Sequence, residues 1–179
     1  MKTLSRIKVG LITVGTLLLM TSATRALADQ AGPYYATPSW DQQIPAATRF
    51  IVLSNWGGAA VLDRETGLVW EKTPNTATGT PAEANARCIN KVVGGRAGWK
   101  LPSIQDLRSL YEFDGTTLHL PVGHPFIVSP AYYWSSTKGS SALYWYIDLS
   151  NGDANLAPTF RPFQFWCVRG GAGVDVQEG

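Results

Sequence analysis

Chemistry in this chain would have to rest on two cysteines, two histidines and a few carboxylates and hydroxyls. Cys88 and Cys167 are the only thiols. A thiolate acts as nucleophile or metal ligand only while it is free. In an oxidising compartment two cysteines pair by default. The loop so closed would span about 79 residues, worth about 4.5 kcal/mol by chain entropy; two buried free thiols are the alternative. His119 and His124 lie five apart in a Pro-containing loop. Zinc catalysis needs a third ligand on a defined scaffold, such as H-E-x-x-H on a helix, and the chain has no such pattern. Each histidine therefore reads as a surface or hydrogen-bonded side chain. Asp63, Glu65 and Glu71 are the closest carboxylates. A glycosidase pair must face across a cleft, whereas these sit on one predicted hairpin and read as a turn and a solvated strand face. Ser103, Ser135 and Ser136 lie in no G-x-S-x-G elbow, and neither histidine is spaced to serve them. Ser136, after Trp134, is expected to bond backbone in a packed strand. Asn151 and Asp153 offer oxygens to a cation, but Asn-Gly-Asp more simply makes a turn. The reading nominates no catalytic residue, no metal and no cofactor.

The aromatic content points elsewhere. The chain has seven Trp and seven Tyr, more than one core obviously needs. Tyr132, Tyr133 and Trp134 fall on one predicted strand and Tyr144, Trp145 and Tyr146 on its neighbour. Aromatic faces stack on the C–H patches of sugar rings, and Tyr hydroxyls add hydrogen bonds. Trp134 and Trp166 are assigned to the core. Tyr144, Trp145 and Tyr146, with His124, Lys138 and Arg161, are the candidate ligand-binding residues of a recognition surface around residues 115–160. The last three make a local basic patch there.

The elements that must position these groups follow a signal-like start. Residues 1–28 have a basic opening (Lys2, Arg6, Lys8), an apolar core over 9–20 and a small-residue site at 26–28. That is the pattern of a secretory signal, and the apolar run is short for a membrane span. An uncleaved anchor is the alternative. Cleavage after Ala28 leaves one domain's length of chain, long enough to bury a core. It also removes four of the 15 basic residues and none of the 13 acidic ones, so the mature chain carries 11 − 13 = −2. Such a chain has no general attraction for polyanions, which argues against nucleic acid as partner. No integral membrane span is expected once the signal is removed, and the protein is expected in the periplasm or outside the cell.

Residues 29–47 read as a flexible leader. Short strands follow at 50–53, 59–62 and 68–71, the last two joined by the turn D-R-E-T-G. Thr80-Pro81-Ala82-Glu83 starts a helix running to about residue 93. A Gly-rich, Trp-bearing link, G-G-R-A-G-W-K-L-P, leads to a second helix capped by Ser103, whose apolar side is Ile104, Leu107, Leu110 and Tyr111. Residues 114–129 read as loop, 132–137 and 144–149 as strands, Asn151-Gly152 as a hairpin signal, 163–169 as the last strand and 172–179 as a loose tail. Strands, two helices, then strands make the class α+β.

The ordered set V-L-D-R-E-T-G-L-V-W-E (61–71), G-G-R-A-G-W-K-L-P-S-I-Q-D-L-R-S-L (94–110), Y-W-S-S-T (133–137) and F-W-C-V-R-G-G (165–171) resembles the Lcl C-terminal domain family, named for a collagen-like bacterial adhesin. The resemblance covers residues 48–171. It implies the C-type lectin-like fold, also found in the sulfatase-modifying enzymes. In that fold two helices pack on a small antiparallel sheet, the last strand returns beside the first, and one disulfide ties the first helix to the last strand. Here Cys88 and Cys167 occupy those places. The implied role is non-catalytic extracellular binding in adhesion, to glycans (glycosaminoglycans among them) or to a surface protein. The calcium-dependent sugar motifs of C-type lectins, E-P-N or Q-P-D with W-N-D, are missing. Two other functions stay open. One is a periplasmic enzyme related to the sulfatase-modifying factors, for which a bridge using both cysteines would leave no nucleophile. The other is a structural subunit of a surface complex.

Overall fold

Two capping boxes start the longer helices. Thr80 accepts from the Glu83 amide at 3.3 Å, while the Glu83 carboxylate accepts from the Thr80 amide at 2.8 Å. Pro81 fills the first helical position, where no N–H is needed. Ser103 and Asp106 repeat the exchange at 3.0 and 2.9 Å. The computed structural model describes residues 44–170; the expected signal segment, most of the expected leader and the expected tail lie outside the described residues. The order is α1 (Ala46–Arg49), β1 (Phe50–Val52), β2 (Ala60–Asp63), β3 (Val69–Glu71), α2 (Pro81–Ile89), α3 (Ile104–Arg108), β4 (Glu112–Phe113), β5 (Leu118–His119), β6 (Tyr132–Ser140), β7 (Leu143–Asp148), β8 (Ala154–Pro158) and β9 (Val168–Arg169). The ladders between these strands are antiparallel. They form the sheets β1-β2-β3-β9 and β6-β7-β8 and the pair β4-β5. The class is the mixed helix and antiparallel-sheet class expected.

Several details differ from the sequence reading. A third helix, α1, precedes β1, and the strands fall into three sheets rather than one. β9 joins β3, not β1, which occupies the far edge. α2 stops at Ile89 instead of near residue 93, because the Asn90 amide turns back onto the Ala86 carbonyl at 2.9 Å. Val93 then makes reciprocal backbone bonds with Arg96, and Gly94 and Gly95 turn between them at φ 56° and 72°. An added Cβ at Gly94 would lie 2.5 Å from the Trp56 Cβ, so the link sits flush on that ring's backbone. α3 ends at Arg108; Leu110 follows in a tight turn yet stays buried with Ile104 and Leu107. The last segment pairs as a ladder strand only at Val168–Arg169, because residues 163–167 cross from one sheet to another.

Two apolar clusters fill the interior. One joins Phe50, Val61, Trp70, Leu107, Tyr133, Ile147 and Trp166. The other joins Ala84, Cys88, Trp99, Leu101, Trp134, Phe165 and Cys167. The disulfide Cys88–Cys167 lies wholly buried in the second, its Cα atoms 5.5 Å apart. It ties α2 to the residue preceding β9.

The hairpin carboxylates are not a solvated face. Asp63 is fully buried, and the Arg49 guanidinium grips it with two bonds of 2.9 Å. Arg49, 1% exposed, also meets Glu65 at 2.8 Å and donates to the Ser109 carbonyl at 2.5 Å. Burial raises the Glu65 carboxyl above its ordinary value, opposed by the Ile44 amide and the Arg49 charge. Glu71 is likewise buried. It accepts from the Cys167 amide at 2.9 Å and meets Lys91 at 2.5 Å. Two outcomes check these roles by urea unfolding. Cys88→Ala/Cys167→Ala should cost about 2–5 kcal/mol. Arg49→Met should cost about 3–5 kcal/mol, because it strands a buried Asp63 charge.

Candidate functional site

Antiparallel pairing sets Trp134 opposite Tyr146 and Tyr132 opposite Asp148. β8 adds Asn155 opposite Tyr146 and Ala157 opposite Tyr144. Opposed residues share a side of the sheet, so one side carries Tyr132, Trp134, Tyr144, Tyr146, Asp148 and Asn155. The β7–β8 turn fixes this register. Gly152 turns at φ 75°, where a Cβ would lie 2.8 Å from the Tyr111 and Leu118 side chains. The Asn151 side chain closes on Asp153 through bonds of 3.0 and 2.9 Å. The two residues are thus bonded to each other within the turn.

Phe163, from the crossing segment, lies against that side. Its ring centroid is 4.6 Å from Trp134, 4.9 Å from Tyr146 and 5.2 Å from Tyr132. Trp134 is fully buried, and its indole N–H donates to the Gly79 carbonyl at 2.8 Å. The aromatic floor is therefore anchored. The Tyr132 and Tyr146 rings meet edge to face at 5.3 Å and 73°, with Tyr132 46% exposed. They form a fixed corner open on one side. Burial raises the Tyr146 hydroxyl's pKa, with further upward pushes from Tyr132 and Asp148 and an opposing one from Arg161. That phenol therefore stays neutral, able to donate and accept.

The proposed binding residues divide. Tyr144 and Tyr146 share the aromatic side, half-buried rather than fully presented, and Lys138 stands opposite Tyr144. Arg161 is exposed and near enough for its charge to act on Tyr146. Trp145 points to the other side of the sheet and packs on the first cluster. His124 is held elsewhere, against Phe126, with its Nδ1 accepting the Phe126 amide at 3.2 Å. Burial lowers its pKa, so it adds no positive charge at neutral pH. Ser135, not Ser136, is the buried hydroxyl that bonds backbone; it donates to the Trp145 carbonyl at 2.7 Å. The sequence reading missed Tyr132, Phe163 and Asn155 as parts of the corner. Period-two alternation back from Trp134 would have found Tyr132.

An open cleft of about 680 Å³ lies between residues 58–59, 71–76 and 91–94 and shares no residue with the aromatic corner. The Glu71–Lys91 pair borders it. Among the described residues no group of three or more His, Cys, Asp or Glu converges as a metal site, and no helix is long and apolar enough to cross a membrane.

These features define a disulfide-stapled α+β domain that presents a preorganised aromatic corner. The model of the Lcl C-terminal domain matches residues 59–169, and the chain belongs to that family. No curated protein matches the chain.

The burial of His124 has a consequence for pH. Its native pKa lies below the ordinary 6.5. Its contribution to stability is present above the unfolded value and is lost as pH falls through the native one. The imidazole should titrate below about 6.5 by NMR. His124→Phe should flatten the decline in unfolding free energy between pH 7 and pH 5.

Proposed function

We propose that this chain is an exported, non-catalytic recognition module of C-type lectin-like fold, periplasmic or extracellular, which binds glycans through the Tyr132–Tyr146–Phe163 corner and serves adhesion. The observation that carries the reading is the corner itself. Two Tyr rings at 73° stand over Phe163, and Tyr132 is open to solvent. Rigid aromatics give large contact area at low entropic cost, and sugar rings offer apolar C–H faces to them. The fold assignment draws support from the bridge between α2 and the residue before β9 and from the two capped helices between the strand groups. The non-catalytic reading draws support from the engagement of the two thiols and of Ser135. Both thiols are spent in the disulfide, and the Ser135 hydroxyl is buried on a carbonyl. Export rests on the signal-like segment 1–28.

A surface protein is the second reading. Phe160 is 75% exposed, next to Arg161 in the chain, and an apolar group of this kind suits a protein interface. The test is a glycan panel probed with the mature protein and with Tyr132→Ala, at a temperature where the variant's own melting curve shows it folded. Glycan binding should appear and weaken by about 1–2 kcal/mol in the variant. Retention of binding by Tyr132→Ala, or no glycan signal from either protein, would turn the assignment toward the protein partner.

A further inference from the structure

The charges of this domain are segregated, and the segregation bears on which glycan the corner accepts. Asp148 stands opposite Tyr132, and Asp148, Asp153 and Arg161 all act on the Tyr146 hydroxyl. Two negative charges and one positive make that rim −1. Lys138, opposite Tyr144 beyond a β-bulge, brings the whole side only to neutrality. The neutral polar group closest in register is Asn155, exposed and opposite Tyr146.

The positive groups gather around different aromatics. Arg87 and Lys91 lie 5.7 and 5.9 Å from the Phe165 ring. Arg96 and Arg169 lie 5.7 and 5.5 Å from the Trp56 ring. Lys91 and Lys72 border the open cleft, and Glu71 offsets only Lys91.

Resting on the reading of the corner as a glycan site, we infer that it selects an uncharged saccharide, with the Tyr132, Tyr146 and Phe163 rings taking the apolar faces and Asn155, Asp148 and Arg161 taking the hydroxyls. A carboxylate or amide bonds neutral hydroxyl pairs well. A sulfate or uronate brought to the same rim meets the Asp148 and Asp153 carboxylates and finds no net positive charge to offset them, and such repulsive elements disfavour the wrong ligand. The corner therefore differs in kind from an electrostatic site, whose affinity comes from basic groups and falls steeply with salt.

The experiment uses the mature full chain with matched neutral and sulfated or uronate-bearing oligosaccharides, titrated by calorimetry at 50 and 500 mM NaCl. The variants are Tyr132→Ala, Asn155→Ala and Arg96→Gln, all at exposed positions. Neutral oligosaccharides should bind with an affinity that changes less than about twofold between the salts. Tyr132→Ala and Asn155→Ala should each weaken that binding roughly fivefold or more, and Arg96→Gln should leave it unchanged. If charged oligosaccharides alone bind and Tyr132→Ala still weakens them, the inference is overturned while the glycan-binding corner stands. If charged binding is lost in Arg96→Gln and indifferent to Tyr132→Ala, the corner itself is overturned. Failure of every oligosaccharide to bind overturns both.

Discussion

Residues 163–169 carry the structure's central constraint: a short extended segment whose backbone must be satisfied by several elements in turn. Phe163 exchanges bonds with Gly79, and Gln164 bonds Tyr132 and Trp134. Cys167 gives its amide to the Glu71 carboxylate and its sulfur to Cys88. Val168 bonds Lys100 on one side and faces Trp70 on the other, and Arg169 reaches the Ala97 carbonyl at 2.8 Å. An unpaired buried amide is costly, so each bond fixes an element that has no sequence-local reason to be there. Glu71 shows how firmly this is done. A carboxylate is buried in order to cap one amide, and Lys91 is recruited to balance it.

What the sequence disclosed was local. The two capping boxes, the D-R-E-T-G and Asn-Gly turns and the alternation along β7 each declare themselves within five or six residues, and all are present. The pairing of Cys88 with Cys167 was legible because two cysteines leave a single choice. What failed was non-local. Asp63 and Glu71 looked like a polar hairpin, because the cation buried with Asp63 lies 14 residues away and the amide buried with Glu71 lies 96 away. The ends of α2 and α3 depended on side chains that turn back onto the helix, Asn90 and Ser109.

The candidate site divides along the same line. Tyr144 and Tyr146 against Trp145 follows from period two, and the split is as the alternation requires. The contribution of Phe163 does not follow, because it arrives from the crossing segment and meets the sheet only through tertiary packing. His124 was grouped with the other basic candidates on residue type, but a desolvated imidazole bonded to a backbone amide is a loop anchor. The two apolar clusters lie on opposite sides of the β6-β7-β8 sheet. Every large ring of β7 therefore has a packing duty, and the aromatic surface left open to solvent is the rim where those rings emerge.

The disulfide also has a mechanical meaning. Everything between Cys88 and Cys167 hangs on a covalent shortcut, and that interval contains α3 and β4 through β8. When the chain is stretched from both ends, the pull runs through β1, β2, β3 and α2, crosses the sulfur bridge and leaves through β9. The aromatic sheet lies off that route. Tension applied to the two ends would strip the outer strands while the β6-β7-β8 sheet kept its shape, so compliance and rigidity reside in separate parts of one domain.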